Sequence, residues 1–258
     1  MNVPLIIPSF NQFTFLRNLV NWYQYYRPGD DVWILDQAST YPPLLEWYGE
    51  VDGRHSVHVV RFKENKAKLN LKQFIGEHGA EYPYYIISDP DIMPHPNVPR
   101  TFVDAFRHLI ETKGFHHVGF CLRINDLPAW LPAQAKDDIM HFEAEYWLPN
   151  GWVTAGHWCN PVDVEWEGTK YTGYKIPIDT TFAMYRSSAG WDSPMPYEWW
   201  NNALRIFDAF HLGWYMDPND CGAEMDNYYR TCKHKVEDCT DPDMEALQNN
   251  HRPTKYKK

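Results

Sequence analysis

Short apolar runs that alternate with stretches of helical periodicity constrain this chain more than any other feature, because strands joined by crossover helices build a mostly parallel sheet. Leu5-Ile6-Ile7 is the first such run, stopped by Pro8. From Gln12 to Tyr26, Phe13, Leu16, Leu19, Val20, Tyr23 and Tyr26 fall at helical spacing, and Pro28-Gly29 ends the element. Val32 to Leu35 is the second run, closed by Asp36. Residues 57–62 (VHVVRF) form the third and lead into a helix over 66–78 with Leu69, Leu71, Phe74 and Ile75 on one face. Tyr84-Tyr85-Ile86-Ile87 is the fourth, bounded by Pro83 and by the acidic segment Ser88-Asp89-Pro90-Asp91. A helix over 97–113 and a strand over 116–122 continue the pattern. Beyond Asn125 the periodicity degrades; a helix over 135–147 and strands over 162–166 and 175–185, around a turn at Gly168 or Gly173, are expected there. The fold class is α/β, in one domain over 1–236 whose two halves meet near residue 122. Residues 237–258 are polar and end in HRPTKYKK, and are expected to fray.

Composition removes several classes. No run of 18 or more apolar residues exists, so nothing is long enough to span a bilayer. The opening MNVPLIIPSF lacks a basic stretch and a small-residue cleavage site, so cytoplasmic residence is expected. A formal charge of −10 repels a polyanion over most of the surface. Five scattered cysteines suggest reduced thiols rather than a disulfide framework. GxxxxGK[ST], GxGxxG, GxSxG and HExxH are all absent, which takes the main support from Walker NTPase, Rossmann dehydrogenase, serine hydrolase and zincin readings.

The sharpest chemical feature is Asp89-Pro90-Asp91. Proline biases the residue before it towards extended backbone, and in extended chain residues i and i+2 point to one side. Two carboxylates would then share a face just past a buried strand, where open α/β sheets bind ligands, and such hard oxygens suit Mg²⁺ or Mn²⁺ on a diphosphate. The same triplet also reads as a turn with solvated acids, since Asp-Pro commonly starts turns. Asp36 ends a strand in the same way, as a partner for a nucleobase or ribose or as a helix cap, and Ser9 and Asn11 could line the crevice beside it. Arg61, Lys63, Lys66 and Lys68 follow the third strand and could neutralise phosphates. His211, in His211-Leu212-Gly213-Trp214-Tyr215, could complete a metal site begun by Asp89 or Asp91. His116 and His117 are adjacent in a strand and should point to opposite faces. Asp179 lies among apolar residues, where a lone carboxylate is costly, and would suit a general base; Glu143, Glu145 and Asp192 compete for that role.

Together VPLIIPSFNQ, WILDQAST and YYIISDPDIMP, and less specifically IDTTFAMYR and HLGWYMDP, resemble GT-A nucleotide-sugar glycosyltransferases of the family 2 type. The resemblance covers residues 3–122 well and 175–217 loosely. It implies a Rossmann-like α/β/α sandwich with an irregular acceptor-side elaboration after residue 122. It also implies nucleotide contacts from the first strand (Pro8, Ser9, Asn11) and Asp36, with Lys66 and Asp89 towards the diphosphate. A divalent Mn²⁺ or Mg²⁺ is implied on Asp89, Asp91 and His211, and a base at Asp179. The expected reaction moves one sugar from a nucleoside diphosphate sugar, first a UDP-sugar, to an acceptor hydroxyl. Tryptophans 130, 147, 152, 158, 199 and 200 would suit a glycan acceptor by ring stacking. A hydroxymethylated base in DNA is a second acceptor class, which the net charge disfavours. A non-catalytic sugar-binding protein and a metal-dependent phosphohydrolase are the alternatives.

Overall fold

A computed structural model of the chain describes residues 1–147, 160–178, 181–187, 202–217 and 222–232. Strands β1 (Leu5–Ser9), β2 (Val32–Asp36), β3 (Val57–Arg61) and β4 (Tyr84–Ile87) lie parallel in the order β3-β2-β1-β4. Helices α1 (Phe13–Tyr26), α2 (Pro42–Val51) and α3 (Lys68–His78) connect them. Further on come β5 (Ile92–Pro94), α4 (Phe102–Lys113), β6 (His117–Leu122) and α5 (Ala133–Trp147). Then follow β7 (Asn160–Trp166), β8 (Thr169–Lys175), β9 (Ala183–Arg186), β10 (Ala203–His211) and α6 (Gly222–Thr231). Among the described residues all ten strands join one sheet, β3-β2-β1-β4-β9-β6-β10-β8-β7, with β5 paired to β10. The expected α/β/α sandwich is therefore present, and both halves of the chain share its central sheet.

Strand alternation sorts the core into two layers. Leu5, Ile7, Val32, Ile34, Tyr84 and Ile86 face α1, α2 and α4, where Leu16, Leu19, Tyr23, Trp47, Phe102 and Phe106 close the layer. Ile6, Leu35, Tyr85 and Ile87 face the opposite way, onto Leu71, Phe74 and Ile75 of α3 and onto Ile178. Each such side chain, taken fully out of water, stabilises the fold by about 1.5–3 kcal/mol.

Several expectations need correction. The sequence pattern named no helix between β2 and β3, yet α2 is there and Pro42-Pro43 starts it, since proline fits the first turn of a helix, where the missing N–H has no partner to lose. The strand expected over 175–185 is two elements. β8 ends at Lys175, the backbone bends so that Ile176 N–H donates to Tyr174 O at 3.0 Å, and β9 begins only at Ala183, antiparallel between β4 and β6. The turn does fall at Gly168: Glu167 and Gly168 both have positive φ (49° and 75°), the two-residue hairpin loop whose twist matches its strands. His116 lies before β6, so the opposite-face argument does not apply to it, and its Nδ1 comes 3.2 Å from that of His117.

Candidate active site

The carboxyl ends of β1, β2 and β4 open onto one edge of the sheet. At the first, β1 ends at Ser9, and Asn11 adopts a left-handed conformation (φ 53°), which asparagine tolerates better than most residues. The Asn11 Oδ1 accepts the backbone N–H groups of Thr40 and Tyr41 at 2.7 and 2.9 Å. Its Nδ2 donates to Thr231 Oγ1 of α6 at 2.8 Å, and its backbone N–H donates to Ser39 Oγ at 2.9 Å. One side chain thus ties the loop after β1 to the loop after β2 and to the far end of the chain's last described helix. Pro8 and Ser9 lie in register with Leu35 and Asp36, and the Ser9 hydroxyl is buried near Tyr48.

Asp36 is fully buried at the end of β2. Its Oδ1 accepts from Ser39 N–H at 3.1 Å and from the Tyr48 hydroxyl at 3.5 Å, and its Oδ2 accepts from Arg61 Nε at 3.1 Å. Burial, and then the charge of Asp36, push the Tyr48 hydroxyl far above its ordinary pKa, so it stays protonated and donates. Arg61 itself is half exposed, with its far nitrogen 3.5 Å from Ser39 O. A buried carboxylate therefore holds an accessible guanidinium at the crevice. Arg61, the last residue of β3, is fixed there, whereas Lys66 is exposed and paired with Glu64 at 3.3 Å.

At the third strand end, Asp89-Pro90-Asp91 is a turn: Ile92 N–H points back to Asp89 O at 3.5 Å, with proline in the second position, where its fixed φ suits a tight turn. The backbone expected to be extended here is therefore a turn. Asp89 is half-buried and Asp91 is buried. β5 leaves this turn and pairs antiparallel with β10, placing His211 opposite Ile92. Leu212 N–H then donates to Asp91 O at 2.7 Å. These pairings bring His211 Nδ1 to 3.5 Å from Asp91 Oδ2.

That nitrogen is buried and makes no hydrogen bond among the described residues. Gly213 stands beside it; a Cβ there would lie 3.2 Å from Asp91 Oδ2 and 3.3 Å from His211 Nδ1, so the glycine keeps open the space both atoms face. A buried carboxylate oxygen and an unbonded imidazole nitrogen around a gap are a donor set that suits a small divalent cation. Mg²⁺ and Mn²⁺ sites commonly use one or two protein ligands and take the rest from water and phosphate. Among the described residues no group of three His, Cys, Asp or Glu side chains converges, so Asp89 does not join Asp91 and His211 in a ready-made triad.

α6 crosses in front of this edge. Glu224 accepts from Thr14 N–H at 2.8 Å and from Thr14 Oγ1 at 2.6 Å, which supplies α1 with the cap its own Gln12 does not give. Two turns on, Thr231 meets Asn11. The proposed base Asp179 lies outside the described residues, as do Asp192, the Glu145 side chain, Trp152, Trp158, Trp199, Trp200 and the Trp147 side chain. Glu143 is buried away from solvent and pairs with buried Arg205 at 3.1 Å. Trp130 is exposed. No helix of the described residues is long and apolar enough to cross a membrane.

No family model matches the chain, and no curated protein matches it in sequence. Solved structures do match in fold. One is the mannosyltransferase PcManGT from Pyrobaculum calidifontis in complex with GDP-Man and Mn²⁺, at 13% identity and TM-score 0.47 over 99% of this chain and 67% of that one. A second is GalNAc-T7 with UDP, GalNAc and Mn²⁺, at 12% identity and TM-score 0.49 over 99% of this chain and 55% of that one. A third is glucosyl-3-phosphoglycerate synthase from Mycobacterium tuberculosis in complex with Mn²⁺, UDP and phosphoglyceric acid, at 14% identity and TM-score 0.40 over 72% of this chain and 56% of that one. The chain thus spans between about half and two thirds of the length of these structures.

Proposed function

We propose that the protein is a metal-dependent glycosyltransferase that moves one sugar from a nucleoside diphosphate sugar, with a UDP-sugar as the first donor to test, to an acceptor hydroxyl. The observation that carries this reading is the pair Asp91 Oδ2 and His211 Nδ1, 3.5 Å apart around the gap that Gly213 leaves, at the carboxyl edge of an α/β sheet. Asp91 and His211 would hold Mn²⁺ or Mg²⁺, with Asp89 on the same turn as the third proposed ligand. Once bound, the ion supplies positive charge that stabilises a departing diphosphate. Ser9, Asn11 and Asp36 frame the nucleotide end of the crevice, Asp36 acting through the Arg61 it holds, and Arg61 and Lys66 add charge for the phosphates. Asp179 is the proposed base that takes the proton from the acceptor hydroxyl as its oxygen attacks the sugar carbon. The acceptor is proposed to be a glycan, with a hydroxymethylated DNA base as the second class.

Calorimetric titration of UDP, with Mn²⁺ and then with chelator, tests the donor half. Tight binding is expected only with Mn²⁺, and Asp91→Ala and His211→Ala should each weaken it at least about tenfold. UDP binding that ignores both the chelator and the substitutions would overturn the assignment. Release of UDP, rather than free phosphate, from a UDP-sugar separates transfer from phosphohydrolysis.

A further inference from the structure

An imidazole that binds a metal through one nitrogen usually has its ring plane fixed by a hydrogen bond from the other to a carboxylate or carbonyl. Among the described residues neither ring nitrogen of His211 makes such a bond; Asp91 Oδ2 lies 3.5 Å from Nδ1. The terminal torsion of a histidine has only broad preferences of its own, so an unheld ring would turn Nδ1 away from the gap. A flat wall takes the place of the missing bond: the Trp214 ring lies against the His211 ring with centroids 4.5 Å apart and planes 6° from parallel.

That wall is itself anchored. Trp214 packs against the larger core layer. It sits in the short 3₁₀ turn Leu212–Tyr215, whose first N–H is held by Asp91 O. At the other end of the turn the Tyr215 hydroxyl donates to Asp126 Oδ1 at 2.6 Å and lies 3.2 Å from Arg123 O. Arg123 in turn bonds Asp126 at 2.8 Å and Asp208 of β10 at 2.9 Å. The turn is thus clasped to the loop after β6 as well as to the strand it leaves.

We infer that Trp214 is the positioning residue for His211: by stacking on the imidazole it holds Nδ1 towards Asp91, and the Tyr215–Asp126 bond keeps Trp214 in place. The inference rests on the reading of His211 as a metal ligand, and the test separates the two. Binding of Mn²⁺ alone to the full chain is followed by the electron paramagnetic resonance of the free ion, beside the thermal midpoint of each variant. Trp214→Leu removes the flat face and should weaken Mn²⁺ binding about ten- to a hundredfold. Trp214→Phe keeps a flat face and should restore affinity to within about threefold of wild type. A side chain that merely filled space would show no such rescue. If Trp214→Leu bound Mn²⁺ as wild type does while His211→Ala had lost it, the positioning role would fall and the metal site would stand. If His211→Ala bound Mn²⁺ unchanged, both would fall. Should Trp214→Leu not fold, Tyr215→Phe, which removes a single hydroxyl, carries the test: a severalfold loss is expected, and unchanged binding overturns the inference.

Discussion

The carboxyl ends of β1 and β2 treat their polar groups in the opposite way from the end of β4. At the first, the two central polar side chains already have protein partners: Asn11 joins three segments, and Asp36 is divided between Ser39, Tyr48 and Arg61. At the second, an imidazole nitrogen and a carboxylate oxygen face each other without a hydrogen bond between them. Saturated polar groups in a low-dielectric setting make rigid scaffold, and a buried group without a partner carries a cost that only a role justifies. On the proposed function, one end of the crevice is frame and the other carries the chemistry, and substitutions at the two ends should therefore fail in different ways.

The largest effect belongs to the frame. Asn11→Ala strands the part-buried N–H groups of Thr40 and Tyr41, frees Thr231 and puts alanine into a left-handed backbone. A loss of about 3 kcal/mol in urea unfolding is expected. Under conditions where the variant is still folded, its affinity for Mn²⁺ should match wild type. A variant of native stability that no longer bound Mn²⁺ would reverse the assignment of the two ends.

Next in size is a control on what an unusual histidine means. His117 is fully buried and stacks on Tyr185, and burial first, then the neighbouring His116, lower its pKa from 6.5 to about 3. Here the folded state resists a proton that the unfolded chain accepts near 6.5. Stability is therefore complete above that pH and falls as pH drops from 6.5 towards 3, by up to about 1.4 kcal/mol per unit. Urea midpoints between pH 7 and pH 5 should decline in wild type and decline less in His117→Asn; equal slopes would place the titration elsewhere. His117 thus belongs with the frame. Its buried Nε2, like His211 Nδ1, makes no hydrogen bond among the described residues, but no carboxylate there pairs with it, which is what sets His211 apart.

How far the sequence carries depends on how local the deciding contacts are. β1 to β4 could be read directly, because a buried parallel strand is a local apolar run and its helix a local period. α2 was hidden by Pro42-Pro43, whose breaking character is real everywhere except in a first turn. β10 was hidden by its own irregularity: Phe207 takes a positive φ (62°), and the register shifts between Arg205 and Asp208, so the alternation that marks a strand is interrupted. In the site, Asp91 and His211 could be named from residue type and position. Their meeting could not, because it depends on the pairing of β5 with β10 between distant parts of the chain. Trp214 and Gly213 stood in the motif beside His211, but only the three-dimensional turn shows that one stacks on the ring and the other leaves it room.

The smallest expected effect is the most selective. Gly213 does not need a left-handed conformation, so alanine there restricts the unfolded chain and should leave stability unchanged or raise it by up to about 1 kcal/mol. Its methyl group would nevertheless press on Asp91 Oδ2 at 3.2 Å and on His211 Nδ1 at 3.3 Å, contacts that these side-chain ends relieve by shifting a few tenths of an ångström. The gap must narrow, and the affinity for Mn²⁺ should fall by about threefold to tenfold in a protein that melts no earlier than wild type. Stability and binding would then move in opposite directions on a single methyl group, a result that a purely structural glycine does not produce. Unchanged Mn²⁺ affinity in Gly213→Ala would mean that the space between Asp91 and His211 is not where the ion sits, and the distinction between the two ends of the crevice would lose its chemical half.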